Sequence, residues 1–124
     1  MTDFMFPIRA HSVEISGRAE RFAVRRIFCV GRNYAEHAKE FGNDECDPPF
    51  FFTKPADAIV PSGAVLAYPS LKQDLHHEAE LVVAIGVGER NITAETAASK
   101  IFGFASRNDL TRHDLQTDAK SQRR

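Results

Sequence analysis

Cysteine is scarce in this chain: only Cys29 and Cys46 occur. That count leaves no disulfide framework to expect. Cys29 lies in an apolar run that suits a buried thiol, and Cys46 lies in an acidic, proline-flanked loop. Both read as free thiols of a reducing compartment, the cytoplasm. No apolar run approaches the roughly 20 residues that span a bilayer as a helix. The segment from Met1 to Pro7 lacks the basic and apolar regions of a signal peptide. An excess of one charge is missing too. A net charge of -1 leaves no electrostatic footprint for nucleic acid or an anionic membrane. Neither is expected as a partner. The glycines form no phosphate loop, and no G-x-S-x-G elbow offers a serine nucleophile.

What is present is the composition of a globular domain, 43% apolar and 27% charged. The 124 residues read as one domain, with residues 1–24 as an N-terminal extension. Ser12 to Ser16 is a candidate edge strand. Val24 to Val30 is β-branched and apolar, and Gly31 ends it, which predicts a buried strand. A helix is expected next. Asn33 and Glu36 stand in capping-box spacing, and Tyr34, Ala38 and Phe41 make one apolar stripe. Phe50 to Thr53 is a further strand candidate. Ala58 to Val60 and Val65 to Tyr68 flank a turn at Pro61-Ser62-Gly63. His76 to Ile85 alternates clearly. Ala79, Leu81, Val83 and Ile85 share a wholly apolar face that is expected to be core, and His76, Glu78, Glu80, Val82 and Ala84 share the other. Thr93 is placed to cap a short helix through Ile101. Phe102 to Ala105 returns as a strand and delivers a polar segment from Ser106 to Gln116.

Three groupings could carry chemistry. Glu78 and Glu80, two residues apart on a strand, lie about 7 Å apart and point the same way. Two such carboxylates can grip one hard cation, Mg2+, Mn2+ or Ca2+. A solvated strand face is the competing explanation. His37 and Glu40 stand one helical turn apart, and a carboxylate beside an imidazole makes a general base. An incidental surface pair reads the same way. Asp109 follows an apolar strand, where it is either a third carboxylate ligand or a helix N-cap. His76 and His77 beside Glu78 also allow a zinc site, although no tight Cys/His spacing supports one.

Four segments, in order, resemble the fumarylacetoacetate hydrolase family. They are Ile27 to Glu40 (IFCVGRNYAEHAKE), Pro49 to Pro55 (PFFFTKP), Leu75 to Gly86 (LHHEAELVVAIG), and Asn108 to Thr111 with Asp114 to Gln116. Phe50 to Phe52 and Leu75 to Glu78 look most like members that act on fumarylpyruvate. The resemblance implies an α+β fold, a mixed β-sheet roll with peripheral short helices. It implies Mg2+ or Mn2+ held by Glu78, Glu80 and Asp109, a water-activating dyad of His37 and Glu40, and a homodimer. Arg32, Lys54, Arg112, His113 and Gln116 fall at or near positions that line the substrate pocket. The implied reaction cleaves the C–C bond of an acylpyruvate, with decarboxylation or tautomerisation of an oxo-acid as the alternative.

Two departures stand out. The family usually carries arginine just before Asp114, and His113 stands there. Family members also continue well beyond the equivalent of Gln116. The chain is therefore expected to be an incomplete domain, either a truncated product with little or no activity or part of a longer protein.

Overall fold

The computed structural model describes residues 3–31, 48–70 and 74–122. They fall in two compact units, Met1–Val65 and Leu66–Arg124. The helix expected from Asn33, with Arg32, His37, Glu40 and Cys46, lies outside the described residues.

The first unit holds two antiparallel ladders. β1 (His11–Glu14) pairs with β2 (Arg21–Val24). Their hairpin turns at Gly17, whose φ of 74° is left-handed backbone that glycine adopts without steric cost. β3 (Ile27–Gly31) pairs with β4 (Phe50–Lys54), setting Cys29 opposite Phe52 and Gly31 opposite Phe50. The buried strand expected over Val24 to Val30 is in fact two strands broken at Arg25-Arg26, and only Cys29 of them is buried, at 6% exposure. Directly opposed residues share a face. Phe52, and Phe50 stacked 6.0 Å from it, therefore shade the Cys29 side. After a 3-10 turn (Ala56–Ala58), the expected Pro61-Ser62-Gly63 turn closes with Ala64 N–H donating to the Pro61 carbonyl.

The second unit is built on one long antiparallel pairing. β5 (Leu75–His76) pairs with β8 (Thr111–Arg112), and β6 (Ala79–Ile85) with β7 (Ile101–Asn108). The strand expected over His76 to Ile85 is thus interrupted at His77-Glu78. The register is nevertheless continuous: His76 faces Thr111 and Ala79 faces Asn108, so Glu78 stands opposite Asp109. An Asp109 N–H donating to the Glu78 carbonyl at 2.8 Å bridges the gap. Between β6 and β7 lie the short helix α1 (Ala94–Ala97) and a 3-10 turn (Ala98–Lys100). Thr93 precedes α1, but its hydroxyl bonds the Thr96 hydroxyl rather than a backbone N–H. Helix α2 (His113–Ser121) follows β8. No described helix is long and apolar enough to cross a membrane.

The two faces of β6 are reversed from expectation. The apolar set Ala79, Leu81, Val83 and Ile85 is exposed, Leu81 at 65%, with Phe104 of β7 beside it at 67%. Glu80, Val82 and Ala84 are half-buried instead. Alternation identifies a face that favours burial, but burial needs a second layer on that face. The α+β, strand-dominated architecture with short peripheral helices is as expected, and every described ladder is antiparallel.

The burial of Cys29 has a direct chemical readout. In a Cys46→Ser variant, the remaining thiol should stay unreactive toward an aromatic disulfide reagent under native conditions and react fully in denaturant. Immediate native labelling would contradict the packing of β3 against β4.

Candidate metal centre

Because side chains alternate, one face of the second unit's ladder collects a polar series. Asp74, His76, Glu78 and Glu80 come from one strand line and Arg107, Asp109, Thr111 and His113 from the other. Glu80 faces Arg107 directly. Arg107 Nε and Nη2 both donate to Glu80 Oε2, at 2.7 and 2.6 Å, and Nη2 also donates to Asp109 Oδ2 at 2.8 Å. Two carboxylates therefore converge on one cationic nitrogen. Asp109 is the one buried charged residue among those described, at 8% exposure. A buried charge persists only when paired or bonded, and Arg107 pairs it.

Glu78 lies in the break between β5 and β6. Its N–H donates to Asn108 Oδ1 at 3.1 Å, which fixes the backbone there. Its carboxylate Oε1 meets His113 Nε2 at 2.7 Å. The His113 ring stacks on His76, with centroids 4.0 Å apart and planes 18° from parallel, and His76 Nε2 meets Asp74 Oδ1 at 2.6 Å. Two carboxylate–imidazole pairs are thus laid one on the other. Asp74, His76 and His113 are the one trio among the described residues whose ligand atoms all lie within 4.8 Å. Near-parallel imidazoles send their in-plane lone pairs side by side rather than to one point. That suits a stacked hydrogen-bonded pair better than a closed tetrahedral metal site.

The other end of the face carries the expected carboxylates, but Glu78, Glu80 and Asp109 do not bring three ligand atoms within 4.8 Å of one another; the pair that converges is Glu80 and Asp109. Glu80 and Asp109 already share one positive charge there, and Glu78 stands opposite Asp109 in the ladder. The donor set is all carboxylate, which favours Mg2+ or Mn2+ over zinc. The zinc alternative built on His76, His77 and Glu78 does not assemble. Glu78 turns to His113 and His76 to Asp74.

Residues 26–123 match the Fumarylacetoacetate (FAA) hydrolase C-terminal family. The chain belongs to this family. The crystal structure of fumarylpyruvate hydrolase from Pseudomonas aeruginosa, in complex with Mn2+ and pyruvate, is 48% identical, with a TM-score of 0.91 over 98% of this chain and 55% of that one. The mitochondrial oxaloacetate tautomerase of Arabidopsis thaliana is 41% identical over 77% of this chain and 43% of its own length. The mitochondrial oxaloacetate decarboxylase of Dictyostelium discoideum is 40% identical over 79% and 45%. The chain therefore spans about half the length of the relatives it matches.

Within this fumarylacetoacetate hydrolase frame the expected site residues distribute unevenly. Glu78, Glu80 and Asp109 share one face of one ladder. Asp109 is not a helix N-cap, because α2 begins only at His113. Arg112 Nη2 donates to Asp114 Oδ2 at 2.9 Å, and Gln116 is half-buried on α2. Lys54 ends β4 in the first unit. Arg107 is not singled out by the sequence, and neither is the bond between the Asn108 side chain and the Glu78 N–H. Their roles depend on which residues face Glu80 and Glu78, and only the pairing register supplies that. Asn108→Ala removes the acceptor for the Glu78 N–H. It should cost about 1 kcal/mol, visible as a lower urea midpoint with unchanged slope. An unaltered midpoint would show that this bond does not hold the Glu78 turn.

Proposed function

We propose that this chain carries the cation-binding part of a metal-dependent hydrolase that cleaves the C–C bond of an acylpyruvate. Fumarylpyruvate is the favoured substrate, giving fumarate and pyruvate. The observation that carries this reading is the meeting of Glu80 and Asp109 on a single positive charge. It occurs in a chain with 48% identity to a fumarylpyruvate hydrolase that binds Mn2+ and pyruvate.

In this reading Glu78, Glu80 and Asp109 hold Mg2+ or Mn2+. A cation held there would supply Lewis-acid polarisation of the substrate's 2-oxo group, typically worth several kcal/mol of barrier. His37, oriented by Glu40, takes a proton from water as its oxygen bonds the remote acyl carbon. The bond from that carbon to C3 of the pyruvate unit then breaks. Its electron pair goes to C3 and is delocalised as the enolate of pyruvate, which a proton converts to pyruvate. Lys54, Arg32 and Gln116 are the candidates for holding the substrate's carboxylates. Arg112 pairs with Asp114 and His113 with Glu78, so a substrate carboxylate reaching either would compete with those partners.

A second reading keeps the same cation and substrate chelate but decarboxylates or tautomerises a small oxo-acid. The relatives from Arabidopsis thaliana and Dictyostelium discoideum favour it. Incubation with Mn2+ and either fumarylpyruvate or oxaloacetate separates the two. The hydrolase reading predicts fumarate and pyruvate in equal amounts from the first substrate. Carbon dioxide or enol–keto exchange from oxaloacetate, with no fumarate from fumarylpyruvate, would replace it with the second.

A further inference from the structure

One oxygen of each converging carboxylate, Glu80 Oε2 and Asp109 Oδ2, is already engaged by Arg107. Arg107 spends Nε and Nη2 on Glu80 Oε2, and Nη2 again on Asp109 Oδ2. A guanidinium has five N–H donors and no lone pair, so it cannot become a ligand itself. It also stays charged at every working pH, so it cannot be titrated out of the way. A divalent cation bridging the two converging oxygens, Glu80 Oε2 and Asp109 Oδ2, therefore competes with Arg107 for them. We propose that Arg107 is a built-in counter-ion of the acidic seat: it holds Glu80 and Asp109 together before the cation arrives and must leave them for the cation to bind, so it sets the affinity of the site. The proposal rests on the cation seat assigned above.

The physical balance favours such a device. Without a counter-ion, two close carboxylates repel, and Asp109 would carry its charge in a largely buried position. With Arg107 in place the metal-free protein has neither problem. The cost appears on loading, because bonds between charged groups must be exchanged rather than simply made. The side chain has somewhere to go. Arg107 is 26% exposed, and its long stem allows the head to swing toward water while the backbone stays in β7. The cross-strand pairing of Arg107 with Glu80 survives that movement, because it belongs to the ladder.

Calorimetric titration of Mn2+ into the metal-free protein tests this. The variants are Arg107→Gln and Arg107→Met, two neutral side chains of similar length, and Asp109→Asn. Circular dichroism confirms the fold of each. Arg107→Gln and Arg107→Met should take up Mn2+ about tenfold more tightly than the unaltered chain, the size of one charge-assisted hydrogen bond. Their thermal midpoints should rise more on Mn2+ addition, from a lower metal-free value. Equal or weaker uptake in whichever of the two folds would overturn the proposal and make Arg107 an outer support of the ligands. Asp109→Asn should lose Mn2+ uptake. Retained uptake there would overturn the seat itself, and the Arg107 proposal with it. Loss there without tightening in the Arg107 variants would overturn the Arg107 proposal alone.

Discussion

Glu80 and Asp109 meet on one nitrogen of Arg107, and that shared ion pair is what allows two carboxylates to stand together on the face of a sheet. The pairing register makes the meeting possible. One antiparallel alignment runs from Leu75 opposite Arg112 to Ala84 opposite Gly103, with a break at His77-Glu78 that shifts nothing. A slip of one residue would send the whole series Asp74, His76, Glu78 and Glu80 to the opposite face. The Asp109 N–H on the Glu78 carbonyl and the Asn108 side chain on the Glu78 N–H secure the alignment where the ladder is interrupted.

Two chemistries share this face, and their geometry separates them. At one end, near-parallel imidazoles of His76 and His113 are each held by a carboxylate through Nε2. At the other, carboxylate oxygens crowd around a positive charge. Only the second offers what a hard divalent cation prefers. Glu78 stands opposite Asp109 in the ladder and bonds His113 through Oε1, so it lies between the two ends. Such outer-sphere bonds orient ligands and tune the bound cation. In the proposed enzyme His113 is then a support of Glu78, which gives a physical role to the position where the family usually carries arginine.

Much of this was legible in the sequence where pattern and chemistry coincide. Period-two alternation puts Glu78 and Glu80 on one face; the end of an apolar strand marks Asp109 only as a third ligand or a helix N-cap, and the family resemblance alone joins it to the pair. The strands at Phe50 and Phe102 followed from aromatic runs bounded by turn residues. Other features were not legible, for identifiable reasons. Alternation could not reveal the break at His77-Glu78, because the register continues through it. It could not say whether Leu81, Val83 and Ile85 are covered. That depends on a second layer, and the Pseudomonas aeruginosa structure matched here has close to half of its length outside the alignment. Arg107 was invisible because its role is a cross-strand contact, and a lone arginine in a polar segment carries no periodic signal.

The account stands on where a divalent cation goes. A crystal of the metal-free protein soaked in Mn2+, with anomalous scattering recorded at the manganese edge, answers that directly. The account predicts one strong peak bonded to the carboxylates of Glu80 and Asp109 on the Glu78 side of the ladder, with the Arg107 head displaced. A peak confined to Asp74, His76 and His113, or none at the acidic end with Arg107 still bridging, would contradict it.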